Sequence, residues 1–154
     1  MFDEFKELFS IFNAKSVRYL VVGGYAVSLH AQPRTTHDID ILIAIDPENA
    51  NKVYAALQEF GAPLEGLQPA DFAEPGKFFR MGRAPLAVDI LSEIDGLSFD
   101  RAWPHRMETV IDEPSGLKAF FISSEDLIAN KLASGRPQDI ADVSALRDAA
   151  KTKR

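Results

Sequence analysis

Gly23-Gly24-Tyr25 … Arg34-Thr35-Thr36-His37-Asp38-Ile39-Asp40-Ile41-Leu42-Ile43 is the stretch on which the reading of this chain turns. It places two carboxylates, Asp38 and Asp40, one residue apart at the head of an apolar strand. Side chains alternate along a strand, so both carboxylates point to one face. Two carboxylates on one face repel unless a cation lies between them. Just upstream, Gly23 and Gly24 let the backbone approach an anion, with exposed N–H groups at a helix start. Glycines for phosphate and an Asp-x-Asp for metal are parts that a phosphoryl- or nucleotidyl-transfer site requires. Each part alone has a plainer reading: a tight strand-to-helix turn, or a strand head wetted by solvent.

Outward from this stretch, the pattern predicts an α/β (α+β) domain, a mixed sheet flanked by helices. Phe2, Phe5, Leu8, Phe9 and Phe12 recur at helical spacing. Val17 to Val22 reads as the first strand, Tyr25 to Ala31 as a short helix, and Asp38 to Ile45 as a central strand. Asp46-Pro47 starts a helix that Gly61 ends. Residues 62–76 read as a loop. Lys77 to Met81 and Pro85 to Leu91 read as strands joined across Gly82-Arg83. Phe99 to Trp103 forms a helical turn, and Thr109 to Asp112 pairs with Leu117 to Ile122 as a hairpin. Ser123 or Ser124 caps a helix to about Ser134, and Pro137 begins a last helix to about Lys151.

At 154 residues, without an internal repeat or a long linker, residues 1–154 are expected to form one domain. There is no cysteine, so no disulfide and no Cys-zinc site. The formal net charge of −6 disfavours nucleic-acid binding through overall charge. Two local basic groups remain: Lys77, Arg80 and Arg83, and Lys131 with Arg136. No window approaches the run of ~18 apolar residues of a membrane span. The amino terminus lacks the pattern of a signal peptide, and the expected location is cytoplasmic.

A third carboxylate, Asp89, interrupts the apolar strand Leu86-Ala87-Val88-Asp89-Ile90-Leu91. A charge there needs a partner. Metal and Arg80 on the neighbouring strand are both candidates. Magnesium suits all-oxygen ligands and leaves positions for water and phosphate; three carboxylates suffice for one or two such ions. Arg34 and Thr36 enter the Asp strand as phosphate contacts or loop-orienting residues. His30, His37 and His105 lack ligand spacing and read as structural. Trp103 and the phenylalanines read as core. Lys131 alone reads as an exposed helical lysine. Asp139 and Asp142, three apart, share a helix face and pair with Lys131 or Arg136, or face water. No G-x-x-x-x-G-K-[ST] and no G-x-G-x-x-G occurs, which removes the P-loop and dinucleotide folds.

Gly-Gly-x-Ala … Arg-x-Thr-x-Asp-Ile-Asp, then Val-Asp-Ile-Leu, then Asp-Leu-Ile-Ala-x-Lys … Gly-Arg-Pro-x-Asp-x-x-Asp resembles the nucleotidyltransferases of the DNA polymerase β superfamily. More narrowly, it resembles the small bacterial AbiEii-like branch. The resemblance runs from Tyr19 to Arg147, with 89 − 38 = 51 residues between the first and third carboxylates. It implies that Gly23 and Gly24 contact a nucleoside triphosphate and that Asp38, Asp40 and Asp89 hold Mg²⁺. It raises Lys131 to a triphosphate contact, supported by Asp139 and Asp142. The chain has Gly-Gly where many enzymes of the superfamily have Gly-Ser, so a phosphate-binding hydroxyl is absent. The implied activity is Mg²⁺-dependent transfer of an NMP from an NTP to an acceptor hydroxyl on a small molecule, protein or RNA. The chain is close to a minimal catalytic core, which makes a toxin-like protein partner or a homodimer an expectation. The rival is a non-catalytic, antitoxin-like interaction module that keeps the fold.

Overall fold

The computed structural model describes residues 1–33, 38–83 and 86–152. Six strands form one mixed sheet in the order β3-β4-β2-β1-β6-β5. They are β1 (Tyr19–Val22), β2 (Ile39–Ile43), β3 (Phe78–Arg83), β4 (Leu86–Leu91), β5 (Met107–Asp112) and β6 (Leu117–Phe121). The helices are α1 (Asp3–Ala14), α2 (Gly23–His30), α3 (Pro47–Phe60), α4 (Phe99–Ala102), α5 (Ser124–Ser134) and α6 (Pro137–Thr152). The expected α/β architecture is therefore present.

Local chemistry explains most boundaries. The Asp46 side chain accepts the Asn49 N–H at 2.9 Å, Pro47 follows as the first residue of α3, and Gly61 closes it. Ser123 caps α5 by accepting the Asp126 N–H at 3.1 Å. α1 buries Phe5, Leu8, Phe9 and Phe12 against the sheet, and each such side chain contributes about 1.5–3 kcal/mol. Val17, Tyr19, Leu20, Ile41, Leu42 and Ile43 are buried in the same core. Asn49, also buried, accepts the Arg18 N–H at 2.8 Å and donates to the Arg18 and Ala44 carbonyls at 3.1 and 2.7 Å. It ties β1, β2 and α3 together with its polar groups satisfied.

Three local expectations change. α2 begins at Gly23 rather than Tyr25, so the glycine pair forms the first turn of the helix. β3 continues through Gly82 and Arg83, which pair with Ala87 and Leu86 and are strand rather than turn. Within 62–76, Pro69–Ala73 is a 3₁₀ turn, closed by a reciprocal Gln68–Asp71 cap, that buries Phe72.

Candidate active site

β2 and β4 run parallel, with Asp40 in register with Asp89. Register partners share a face, so these carboxylates are neighbours although 49 residues separate them (89 − 40). β3 runs antiparallel to β4 and sets Arg80 opposite Asp89. Arg80 Nη1 donates to Asp89 Oδ1 and Oδ2 at 3.0 and 2.8 Å. Its Nη2 donates to Asp38 Oδ2 at 3.1 Å. Asp38, the residue before β2, is thus joined to Asp89 through one guanidinium, the structural partner weighed from sequence.

Asp40 lies instead against Gly23. A Cβ on Gly23 would stand 2.3 Å from Asp40 Oδ2, and Gly23 has φ +65°. Both the space and the left-handed backbone require glycine. Burial pushes the Asp40 carboxyl up to about 6, helped by the charge of Asp89, a hydrogen bond with Asp89 and the charge of Asp38. Lys131 acts in the opposite direction. α2 starts at Gly23 with Val22 as its N-cap residue, whose side chain makes no capping hydrogen bond.

Lys131 is 6% exposed, not a solvated helical lysine. Its Nζ lies 3.3 Å from Asp139 Oδ1 and 3.0 Å from Asp142 Oδ2; the second contact is an ion pair rather than an aligned hydrogen bond. Asp139 is fully buried and also accepts from Arg136 Nε at 2.8 Å and from the Arg136 backbone N–H at 3.2 Å. These Arg136 bonds lead, and Lys131 adds to them, in lowering the Asp139 carboxyl to about 2 against the effect of burial. Gln138 Nε2 donates to Asp142 Oδ1 at 3.1 Å.

Gly23, Asp40 and Lys131 line one cleft of about 570 Å³, together with Phe78, Glu93 and Arg136. Asp89 stands beside the cleft-lining Asp40, and Arg80 links Asp89 to Asp38 outside the lining. Asp139 and Asp142 stand behind Lys131. Gly24 lies in the first turn of α2. Arg34, Thr36 and His37 lie outside the described residues, as does the side chain of Arg83. His30 is buried with its Nε2 2.7 Å from the Ile122 carbonyl oxygen, a structural contact. The exposed His105 faces Asp126 at 3.0 Å. Phe78 is 68% exposed on the cleft wall, so it departs from the expectation that the phenylalanines are core. The signal was present: Phe78 alternates in step with Arg80 and so shares its face.

Among the described residues, no three His, Cys, Asp or Glu side chains converge as a ready-made metal cage. Arg80 already holds two of the three expected carboxylates. The donor set still suits a hard divalent cation: all ligands are carboxylate oxygens, and Asp40 and Asp89 repel each other across one strand pair.

The chain belongs to a family of nucleotidyltransferases of unknown function (DUF6036), whose model matches residues 1–149. This places it among transferase enzymes of the class expected from the three motif blocks. No curated protein matches it. By fold it is similar to the lincosamide antibiotic adenylyltransferase LnuA in its lincomycin-bound form, at 20% identity and TM-score 0.59 over 96% of each chain. It is also similar to ANT(2″)-Ia in complex with adenylyl-2″-tobramycin, at 15% identity and TM-score 0.59, covering 97% of this chain and 87% of that one. A third similar structure is an antigenic nucleotidyltransferase-like protein from Paracoccidioides brasiliensis, at 20% identity and TM-score 0.56, covering 92% and 72%. None of these three is named as AbiEii-type.

Proposed function

We propose that the protein transfers an NMP from an NTP to an acceptor hydroxyl with release of pyrophosphate, and that it requires Mg²⁺. The observation that carries this reading is the register of Asp40 with Asp89 on a cleft wall that also presents Gly23 and the buried Lys131. Asp38, Asp40 and Asp89 would hold the metal. When bound, Mg²⁺ supplies Lewis-acid neutralisation of phosphate charge.

The other roles belong to the chain's own residues. The N–H groups of the first turn of α2, at Gly23 and Gly24, orient the triphosphate, with Arg34 and Thr36 as further proposed phosphate contacts. Lys131, pinned by Asp139 and Asp142, faces the negative charge that develops on the leaving pyrophosphate. The acceptor oxygen forms its bond to the α-phosphorus as the bond to the pyrophosphate oxygen breaks. The hydroxyl proton passes to a carboxylate of the Asp38, Asp40 and Asp89 group. The acceptor class proposed is a hydroxyl-bearing small molecule, by analogy with LnuA in its lincomycin-bound form and ANT(2″)-Ia in complex with adenylyl-2″-tobramycin.

Calorimetric titration with ATP, GTP, CTP and UTP, in Mg²⁺ and then in EDTA, tests the reading. Mg²⁺-dependent binding of at least one nucleotide is expected, with loss in the folded Asp38→Ala/Asp40→Ala protein. A folded wild type that binds none of the four would overturn it and favour the antitoxin-like interaction module.

A further inference from the structure

Among the described residues, Arg80 is a guanidinium that bridges two of the three acids, Asp38 and Asp89. It comes from the edge strand β3, and its side chain is 44% exposed. It can therefore swing away without opening the core. Its neighbour on the same strand face, Phe78, lines the cleft, so the guanidinium stands at the cleft's edge. A guanidinium and a divalent cation compete for the same carboxylate oxygens, because each repels the other and draws on the same negative charge. A guanidinium does have a second well-matched partner, the oxygens of a phosphate, which it binds in the same forked geometry.

Resting on the nucleotidyltransferase reading above, we propose that Arg80 is an internal competitor for the divalent cation. It neutralises Asp38 and Asp89 while the cleft lacks nucleotide and transfers to nucleotide phosphate when the NTP arrives. Cation and nucleotide then load together rather than independently. Each strengthens the other by the same factor, because coupling between two binding events is reciprocal. Arg80 acts here through the ligands, as a positioning residue.

The test uses Mn²⁺ as the probe, read by electron paramagnetic resonance, on the full chain. Wild type, Arg80→Met and Arg80→Lys are titrated without nucleotide and then with saturating ATP. Without nucleotide, Arg80→Met is expected to bind Mn²⁺ at least about tenfold more tightly, the scale of losing competing charge-assisted hydrogen bonds. ATP should strengthen Mn²⁺ binding in wild type and do so much less in Arg80→Met. Arg80→Lys, which keeps the charge but loses the fork, should fall between the two and serves alone should Arg80→Met not fold. A purely structural Arg80 would move affinity the other way, so equal or weaker Mn²⁺ binding in a folded variant overturns this inference and leaves the proposed function standing. Wild-type Mn²⁺ affinity that ATP does not change also overturns it. No Mn²⁺ binding by any of the three proteins, even with ATP, overturns both.

Discussion

The cleft is bounded by two charge clusters that solve burial in opposite ways. On the α5–α6 side, Asp139 and Asp142 meet Lys131 and Arg136, two acids against two cations. On the sheet side, Arg80 pairs with Asp38 and Asp89, and Asp40 lies against Gly23. The carboxyl shifts record the difference: Asp139 is lowered to about 2, and Asp40 is raised to about 6. The first cluster is satisfied by the chain itself. In the second, Asp40 keeps a raised carboxyl beside two further acids, the arrangement expected where charge comes from a ligand.

The contrast can be broken at the satisfied cluster first. Lys131→Met removes the cation that the buried Asp139 and Asp142 share, and should lower stability by about 3 kcal/mol in urea denaturation; an unchanged midpoint would mean that the cluster holds nothing together. Gly23→Ala forces a side chain into Asp40 and into a left-handed backbone, for a loss of about 1–3 kcal/mol in thermal unfolding, accompanied by loss of nucleotide binding.

Asp40→Asn sharpens the other side. Folding raises the Asp40 carboxyl from 3.8 to about 6, so the folded state binds the proton more tightly than the unfolded chain. Its contribution is favourable at low pH and declines as pH rises from about 4 to about 6. In the absence of divalent cations, Asp40→Asn should therefore be more stable than wild type above pH 6, with the gain fading below about pH 4. Equal melting curves at pH 5 and pH 7 for both proteins would contradict it. For Asp139 the sign reverses: its stability is present above the ordinary carboxyl range and is lost as pH falls toward about 2. Arg136→Gln should have the smallest effect, under about 1 kcal/mol, because the side chain is 73% exposed. It should still move the Asp139 carboxyl upward in an NMR titration.

The two clusters also differ in how far the sequence revealed them. The boundaries of α3 and α5 follow from local capping chemistry and were legible. So were the central apolar β2 and the placement of Asp38 and Asp40. Lys131 was not, from its residues alone: its burial follows from α6, where Asp139, Asp142, Val143 and Leu146 form one core-facing stripe. Period alone reports that the aspartates share a face, not that the face is inside. Register was the other missing quantity. Nothing local specifies that Asp40 stands beside Asp89, or that Arg80 reaches Asp38 across 42 residues. Both depend on strand order, and the resemblance to a known family supplied what the residues could not. Phe78 escaped because aromatic residues in strands usually face a core.

β1 and β6 meet in parallel at Val21 and Phe121, and the Ile122 N–H donates to the Val21 carbonyl at 3.1 Å. His30 from the end of α2 reaches the same Ile122 across 2.7 Å. Parallel strands leave a seam in the same direction, so β1 delivers Gly23 and β6 delivers α5 to one edge of the sheet. The spacing between the Gly23 turn and Lys131 is therefore a property of a single strand junction, and any motion that slid β6 along β1 would change the width of the cleft.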